Sequence, residues 1–185
     1  MALQKHGVLV VGISGTTCSG KTTTAKQLRE LLPNSTVFSQ DNYFFPVDSP
    51  RHKWIPELKH INWDIVSSLD MARMTQEIQQ YISKLSSDSI HIVIVDGFCI
   101  FNYKPLAELC DLKYYFTLDY EECFKRRVKR VYEPPDVPGY FEKCVWPEHL
   151  KQLAEVRNAI NDVRYFNGNS TNELNEITAD IARIL

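Results

Sequence analysis

The stretch from Gly12 to Pro33, GISGTTCSGKTTTAKQLRELLP, constrains this chain more than any other part of it. An apolar run, GVLVVGIS, leads in, and a pattern with Ala25, Leu28 and Leu32 on one stripe leads out. Between them, Gly15-Thr16-Thr17-Cys18-Ser19-Gly20-Lys21-Thr22 fits G-x-x-x-x-G-K-[ST] without a mismatch. A strand that turns through glycines into a helix aims backbone N–H groups and the positive helix end at one point, where a phosphate fits. Lys21 is then placed to reach the β- and γ-phosphates of a nucleotide, and the Thr22 hydroxyl to ligate Mg²⁺. With Thr23 in the same turn, Gly15 to Thr23 are the expected nucleotide-binding residues. The alternative, a chance glycine turn, does not account for a strand before it and a helix after it.

The rest of the chain continues the alternation. STVFS, HIVIVDG, LKYYFTLD and DVRYFNG are further short runs rich in Val, Ile and aromatics. The almost unbroken apolar content of HIVIVDG suits a parallel strand covered on both faces. Helical stripes lie between them: Met71, Met74, Ile78, Ile82 and Leu85; Leu150, Leu153, Val156 and Ile160, starting just after Pro147; and Leu174, Ile177, Ile181 and Ile184. Strands alternating with helices predict βαβ units and a parallel sheet, an α/β fold. Residues 44–62, with Pro46, Pro50 and Pro56, read as a long loop, and residues 133–147 as irregular. No repeat or linker divides the 185 residues, so one domain is expected.

Composition excludes some partners. The formal net charge is −2, which argues against a global nucleic-acid or membrane-surface footprint. No apolar run approaches the roughly 20 residues of a membrane span. Lys5 ahead of an apolar run superficially resembles a signal peptide, but the run is short and passes into the glycine turn, so it reads as the first strand. Cys18, Cys99, Cys110, Cys123 and Cys144 are an odd set without a C-x-x-C pair, as for thiols in a reducing compartment, and the cytoplasm is the expected location.

A P-loop needs a second acid for its metal. Asp96 ends HIVIVD where a Walker-B carboxylate sits, although Asp-Gly is also common turn chemistry. Asp41, in SQDNYFF, follows the second strand, next to the crevice where ligands bind in open α/β sheets. Position alone leaves two readings of Asp41 open, a group that accepts or orients an attacking hydroxyl and a helix cap or Asx-turn. FKRRVKRVY carries Lys125, Arg126, Arg127, Lys129 and Arg130, five of the 21 basic residues within six positions. A solvated helix face, a nucleic-acid patch and a lid clamping a phosphoryl group compete for this segment. The charge balance disfavours the second, and a small kinase must exclude water, which suits the third.

Five stretches lie in order over nearly the whole chain: GISGTTCSGKTT, LPNSTVFSQDNYF, NWDIVSSL, DGFCIFNYKPL and YEECFKRRVKRVYEPPDVPGYFEKCVWPEHL. Together they resemble the nicotinamide riboside kinases, within the uridine kinase-like group of P-loop nucleoside kinases; RVYEPPDVPGYF and VWP are more specific to that family than the P-loop. The resemblance implies a three-layer α/β/α P-loop kinase fold with a five-stranded parallel sheet and a helical lid at about 124–146. It implies ATP-dependent phosphorylation of the ribose 5′-hydroxyl of nicotinamide riboside, with Mg²⁺, on a route to NAD. By position Asp41 aligns with the base and, with Thr22 and Asp96, with the magnesium site; Lys21 is catalytic. Trp63 and Tyr132 align with the aromatics that sandwich the nicotinamide ring, and Asp64 and Arg127 with residues holding ribose hydroxyls. Asn42, Tyr43, Phe44 and Glu133 are expected along the same nucleoside pocket. Arg126 and Arg130 align with lid arginines facing ATP, and Ser170, Thr171 and Asn172 with the loop bordering adenine. Asn42 stands where the family usually has a second acid, and Asp96 where it often has Glu. The expected partners are a small nucleoside and ATP, with no nucleic acid or membrane and a monomer favoured. The rival kinase reading is a uridine/cytidine-type enzyme. A GTPase-like switch would want an N-K-x-D motif, which the sequence lacks.

Overall fold

The computed structural model describes residues 7–86 and 89–185, so Lys5 lies outside the described residues. The elements, in order, are β1 (Val8–Gly15), α1 (Lys21–Leu31), β2 (Ser35–Ser39), β3 (Lys53–Ile55), β4 (His60–Asn62) and α2 (Met71–Ser83). They continue with β5 (His91–Asp96), α3 (Lys104–Ala107), β6 (Leu112–Thr117), α4 (Tyr120–Arg127), α5 (Trp146–Ala159), β7 (Val163–Asn167) and α6 (Glu173–Ala182).

The main sheet has five parallel strands in the order β2-β5-β1-β6-β7. Alternation along the central strands divides the core into two layers. Val8 and Val10 of β1, Val93 and Val95 of β5 and Tyr115 of β6 pack with Met74 and Ile78 of α2, Leu106 of α3 and Val156 of α5. Leu9, Val11 and Ile13, Ile92 and Ile94, and Tyr114 and Phe116 pack on the other face with Ala25 and Leu28 of α1 and Ile177 and Ile181 of α6. The three-layer α/β/α arrangement follows from strands that are apolar on both faces. Because all five strands run the same way, the ends of β1, β2 and β5 share one edge: Ile13 and Ser39 are both in register with Asp96.

Two regions differ from the sequence expectation. Residues 44–62 are not loop throughout; β3 and β4 pair antiparallel, with Trp54 opposite Ile61. Strands of three residues are too short to show a period of two. The segment 133–147 is helical from Phe141 onward, and Phe141–Val145 form a π-helical turn running into α5. Trp146 N–H there bonds to the carbonyl of Phe141. Pro147 has no N–H to give, and a widened turn ahead of it accommodates that loss. The inward face of α5 is His149, Gln152 and Val156, whereas Leu150 is 48% exposed and Ile160 lies just past the helix. A third apolar cluster, with Cys123, Tyr140, Phe141 and Cys144 at its centre, joins α4 and the π turn to the β3–β4 side.

Candidate active site

The glycine turn is built by close packing at the end of β1. Gly15 has φ +127°, and a Cβ there would sit 2.1 Å from the Phe116 carbonyl oxygen. Gly20 caps α1 in the left-handed region, at φ 96°. Inside the turn, the Ser19 hydroxyl donates to the Thr16 carbonyl at 2.8 Å, and Lys21 Nζ donates to the same carbonyl. Thr16 Oγ1 lies 3.0 Å from Nε2 of the buried His149, which ties the turn to α5. Burial, with Lys21 and Arg157 nearby, holds His149 down at a pKa of about 4.

At the mouth of the turn, Thr22 Oγ1 donates to Asp96 Oδ2 at 2.7 Å. The other oxygen, Oδ1, is buried and accepts no hydrogen bond. An unsatisfied buried carboxylate oxygen is costly unless something positive meets it. Burial also pushes the Asp96 pKa up, opposed by Lys21, and burial lowers that of Lys21, opposed by Asp96 and then by Cys18 and Asp41. A hydroxyl and a carboxylate with a spare lone pair are hard oxygen donors that fit Mg²⁺.

Asp41 comes to the same place from β2. It lies in a 3₁₀ turn, Gln40–Tyr43, capped by Ser39, so Asp41 is not the helix cap. Its carboxylate is exposed and lines a cavity of about 180 Å³ together with Lys21, Thr22 and Asp96. The turn is anchored by Gln40, which sequence reasoning missed. Fully buried, Gln40 accepts from the Cys99 N–H at 3.2 Å and donates to Met71 Sδ and Cys99 Sγ. Tyr43 is a correction: it points into the core, its hydroxyl donates to Glu77 at 2.8 Å, and burial pushes its pKa up to about 12. A 3₁₀ turn sends neighbours in different directions, so Phe44 lines the cavity while the exposed Asn42 does not.

Trp63 and Tyr132 line the same cavity, and the Tyr132 hydroxyl lies 3.4 Å from Thr17 Oγ1 of the glycine turn. Trp63 is propped by His52, with ring centroids 4.4 Å apart, and by Phe44 at 5.8 Å. It is thus both part of an apolar cluster and a wall of the cavity. Tyr132 has the Arg127 guanidinium 4.4 Å from its ring centroid and that of Arg130 at 5.3 Å. Glu133 lines an adjoining cavity of about 310 Å³ that shares Asp41, Trp63 and Tyr132. Arg127 and Asp64 form a largely buried ionic pair in the same cavity, and Asp136 joins it from the surface. Arg127 Nη1 is 3.6 Å from Asp64 Oδ1, while Nε and Nη2 hold Asp136 at 2.6 and 3.0 Å. Arg127 Nη1 also donates to Thr17 Oγ1 at 3.3 Å, linking this group to the glycine turn. Burial raises the Asp64 pKa, and Arg127 and the Tyr140 hydroxyl oppose it.

The basic run therefore divides by direction. Lys125 is exposed beside Glu122, and Lys129 is exposed. Arg126 donates to the carbonyls of Cys18 and Gly168, both at 3.2 Å, and to Asn169 Oδ1 at 2.7 Å. Arg130 lines both the main cavity and a second one, about 390 Å³, on the outer side of the glycine turn. Ser170, Thr171 and Asn172 are exposed in the turn after β7 and line none of these cavities. That turn does touch the glycine turn, since a Cβ on Gly168 would lie 2.7 Å from the Ser19 carbonyl oxygen. Sequence reasoning also missed Asp136, which holds Arg127 nine positions away, and Tyr140 and His149, whose contacts join distant parts of the chain.

A family model described as "AAA domain" matches residues 11–147. Nicotinamide riboside kinase 1 of Homo sapiens is 38% identical over 177 residues, covering 89% of this chain and 86% of that protein. Nicotinamide riboside kinase 2 of Homo sapiens is 35% identical over 192 residues, covering 96% and 82%. A possible uridine kinase from Bacillus stearothermophilus superposes with a TM-score of 0.53 at 17% identity, covering 88% of this chain and 91% of that one, which speaks to fold alone.

Proposed function

This chain belongs to the AAA domain family and to the nicotinamide riboside kinases, and on that premise we propose that it transfers the γ-phosphoryl group of ATP to the ribose 5′-hydroxyl of nicotinamide riboside, giving nicotinamide mononucleotide. The observation that carries the reading is one cavity lined both by Lys21, Thr22 and Asp96 and by Trp63, Asp64 and Tyr132. Phosphoryl transfer asks little covalent chemistry of a protein; it asks for positioning and for charge stabilisation. Lys21 and Arg130 supply positive charge to the transferring group, with Arg126 bracing the outer side of the loop. Asp41 orients the attacking hydroxyl and takes its proton late. Asp64 and Arg127 hold the ribose hydroxyls. Trp63 and Tyr132 receive the flat, cationic pyridinium, which a ring face attracts by roughly 0.5–2 kcal/mol. Thr22, Asp96 and Asp41 would hold Mg²⁺, which, when bound, neutralises charge on the phosphate oxygens.

We read residues 1–185 as one kinase domain with a lid at about 124–146, with a monomer favoured. The cytoplasm is the expected place, given free thiols at Cys18, Cys99, Cys123 and Cys144. Among the described residues no helix is long and apolar enough to cross a membrane.

The test is ATP-dependent phosphorylation of a nucleoside panel. Nicotinamide riboside should have the highest kcat/KM. A higher value for uridine or cytidine would move the assignment to a uridine kinase-type enzyme.

A further inference from the structure

The motif stretch RVYEPPDVPGYF contributes a residue, Tyr140, to which the roles above give no task. Tyr140 is 1% exposed and begins the π turn. Its hydroxyl accepts from the Trp63 N–H at 2.9 Å and donates to Asp64 Oδ2 at 2.8 Å. One phenol thus clamps two consecutive residues, one a ring wall and the other a ribose-side acid. His60 packs edge-on against its ring at 4.9 Å, so the hydroxyl has little freedom to move.

We infer that Tyr140 is a positioning residue that keeps the Asp64 carboxylate open to the substrate ribose, and so sets the preference for ribose over 2′-deoxyribose. The inference rests on the nucleoside-site reading proposed above. Asp64 Oδ1 stands 3.6 Å from Arg127 Nη1, outside direct hydrogen-bonding distance, although the two groups are oppositely charged and largely buried. The Tyr140 hydroxyl holds the other oxygen and keeps the carboxylate from closing on Arg127. Oδ1 then retains lone pairs for a ligand hydroxyl. The Asp64 backbone is fixed independently: its N–H donates to Asn62 Oδ1 at 3.1 Å and its carbonyl accepts from Gln152 Nε2 at 2.7 Å. Removing the phenol hydroxyl therefore frees the carboxylate and leaves the Trp63 N–H without this acceptor, while the Asp64 backbone keeps both of its bonds. An Asp64–Arg127 pair that has closed on itself must be reopened by each incoming ribose.

The test compares wild type, Tyr140→Phe, Asp64→Asn and the double variant. Tyr140→Phe should raise KM for nicotinamide riboside on the order of tenfold, as expected for loss of a hydrogen bond to a charged group. KM for ATP should stay within twofold, and the kcat/KM ratio of the riboside to its 2′-deoxy counterpart should fall. In the Asp64→Asn background, Tyr140→Phe should change the nucleoside KM less than twofold, because the group through which it acts is already altered. An unchanged nucleoside KM, equal rises for both substrates, or a full effect in the Asp64→Asn background overturns the inference. So does failure of Tyr140→Phe to fold, which would make the hydroxyl a structural pin. If wild type prefers another ribonucleoside, the substrate assignment fails, and the same comparison run on that nucleoside still decides the role of Tyr140. If wild type phosphorylates no nucleoside, both fall.

Discussion

Acidification should destabilise this protein through one side chain under the glycine turn. His149 is 7% exposed, contacts Thr16 Oγ1, and is held at a pKa of about 4 chiefly by burial. In the unfolded chain a histidine titrates near 6.5. The folded pKa is therefore the lower one, and below pH 6.5 the unfolded state binds a proton that the folded state refuses. Stability contributed by neutral His149 is present above pH 6.5 and is lost as pH falls toward 4. Between pH 7.5 and pH 5 the two values give a loss of about 2 kcal/mol, which for a chain of this size lowers Tm by about 4–8 °C. Other groups titrate in the same window, so the informative quantity is a difference. His149→Gln keeps an amide that can bond to Thr16 but has no proton to take up. Urea unfolding of both proteins at pH 7.5, 6.5, 5.5 and 5 isolates the histidine. Its curve should flatten relative to wild type by about the same 2 kcal/mol. Parallel curves would refute the reasoning, because they would mean that His149 titrates alike in both states.

Two further substitutions probe the cavity. Asp41→Asn keeps the size and removes the charge, so fold and ATP affinity should survive while turnover falls by ~10²–10⁴; a folded variant with normal turnover would assign the wrong acid. Trp63→Ala should raise the nucleoside KM by about 5- to 150-fold, as a stack worth ~1–3 kcal/mol implies, with ATP binding unaffected. Global unfolding of Trp63→Ala, measured by circular dichroism, would instead make Trp63 a core aromatic.

Much of this molecule could be read from the chain because its central strands are buried on both faces. Leu9, Val10, Val11 and Ile13 need no partner to announce a covered strand, and the glycine turn after them has few other uses. Ser35–Ser39 and Val163–Asn167 are the edge strands, half-buried or exposed along most of their length, and were legible instead from their Val and aromatic content. Tyr43 was not, because its neighbours Asp41 and Phe44 line the cavity while it donates to Glu77, 34 residues away. The hairpin of β3 and β4 is too short to show alternation. The π turn depends on how the helix accommodates Pro147. Tyr140 and Asp64 are 76 positions apart, and the bond between them belongs to tertiary packing alone. The basic run gave three readings because charge in sequence has no direction. Only packing turns Arg126, Arg127 and Arg130 toward the glycine turn and leaves Lys125 and Lys129 in water.

The most direct test of the central claim is ADP release with Mg²⁺ and ATP, measured with and without nicotinamide riboside. A kinase whose lid excludes water should release ADP far faster when the riboside is present, with nicotinamide mononucleotide formed in equal amount. Equal ADP release in both conditions, with no mononucleotide, would contradict the account and leave a nucleotide hydrolase in its place.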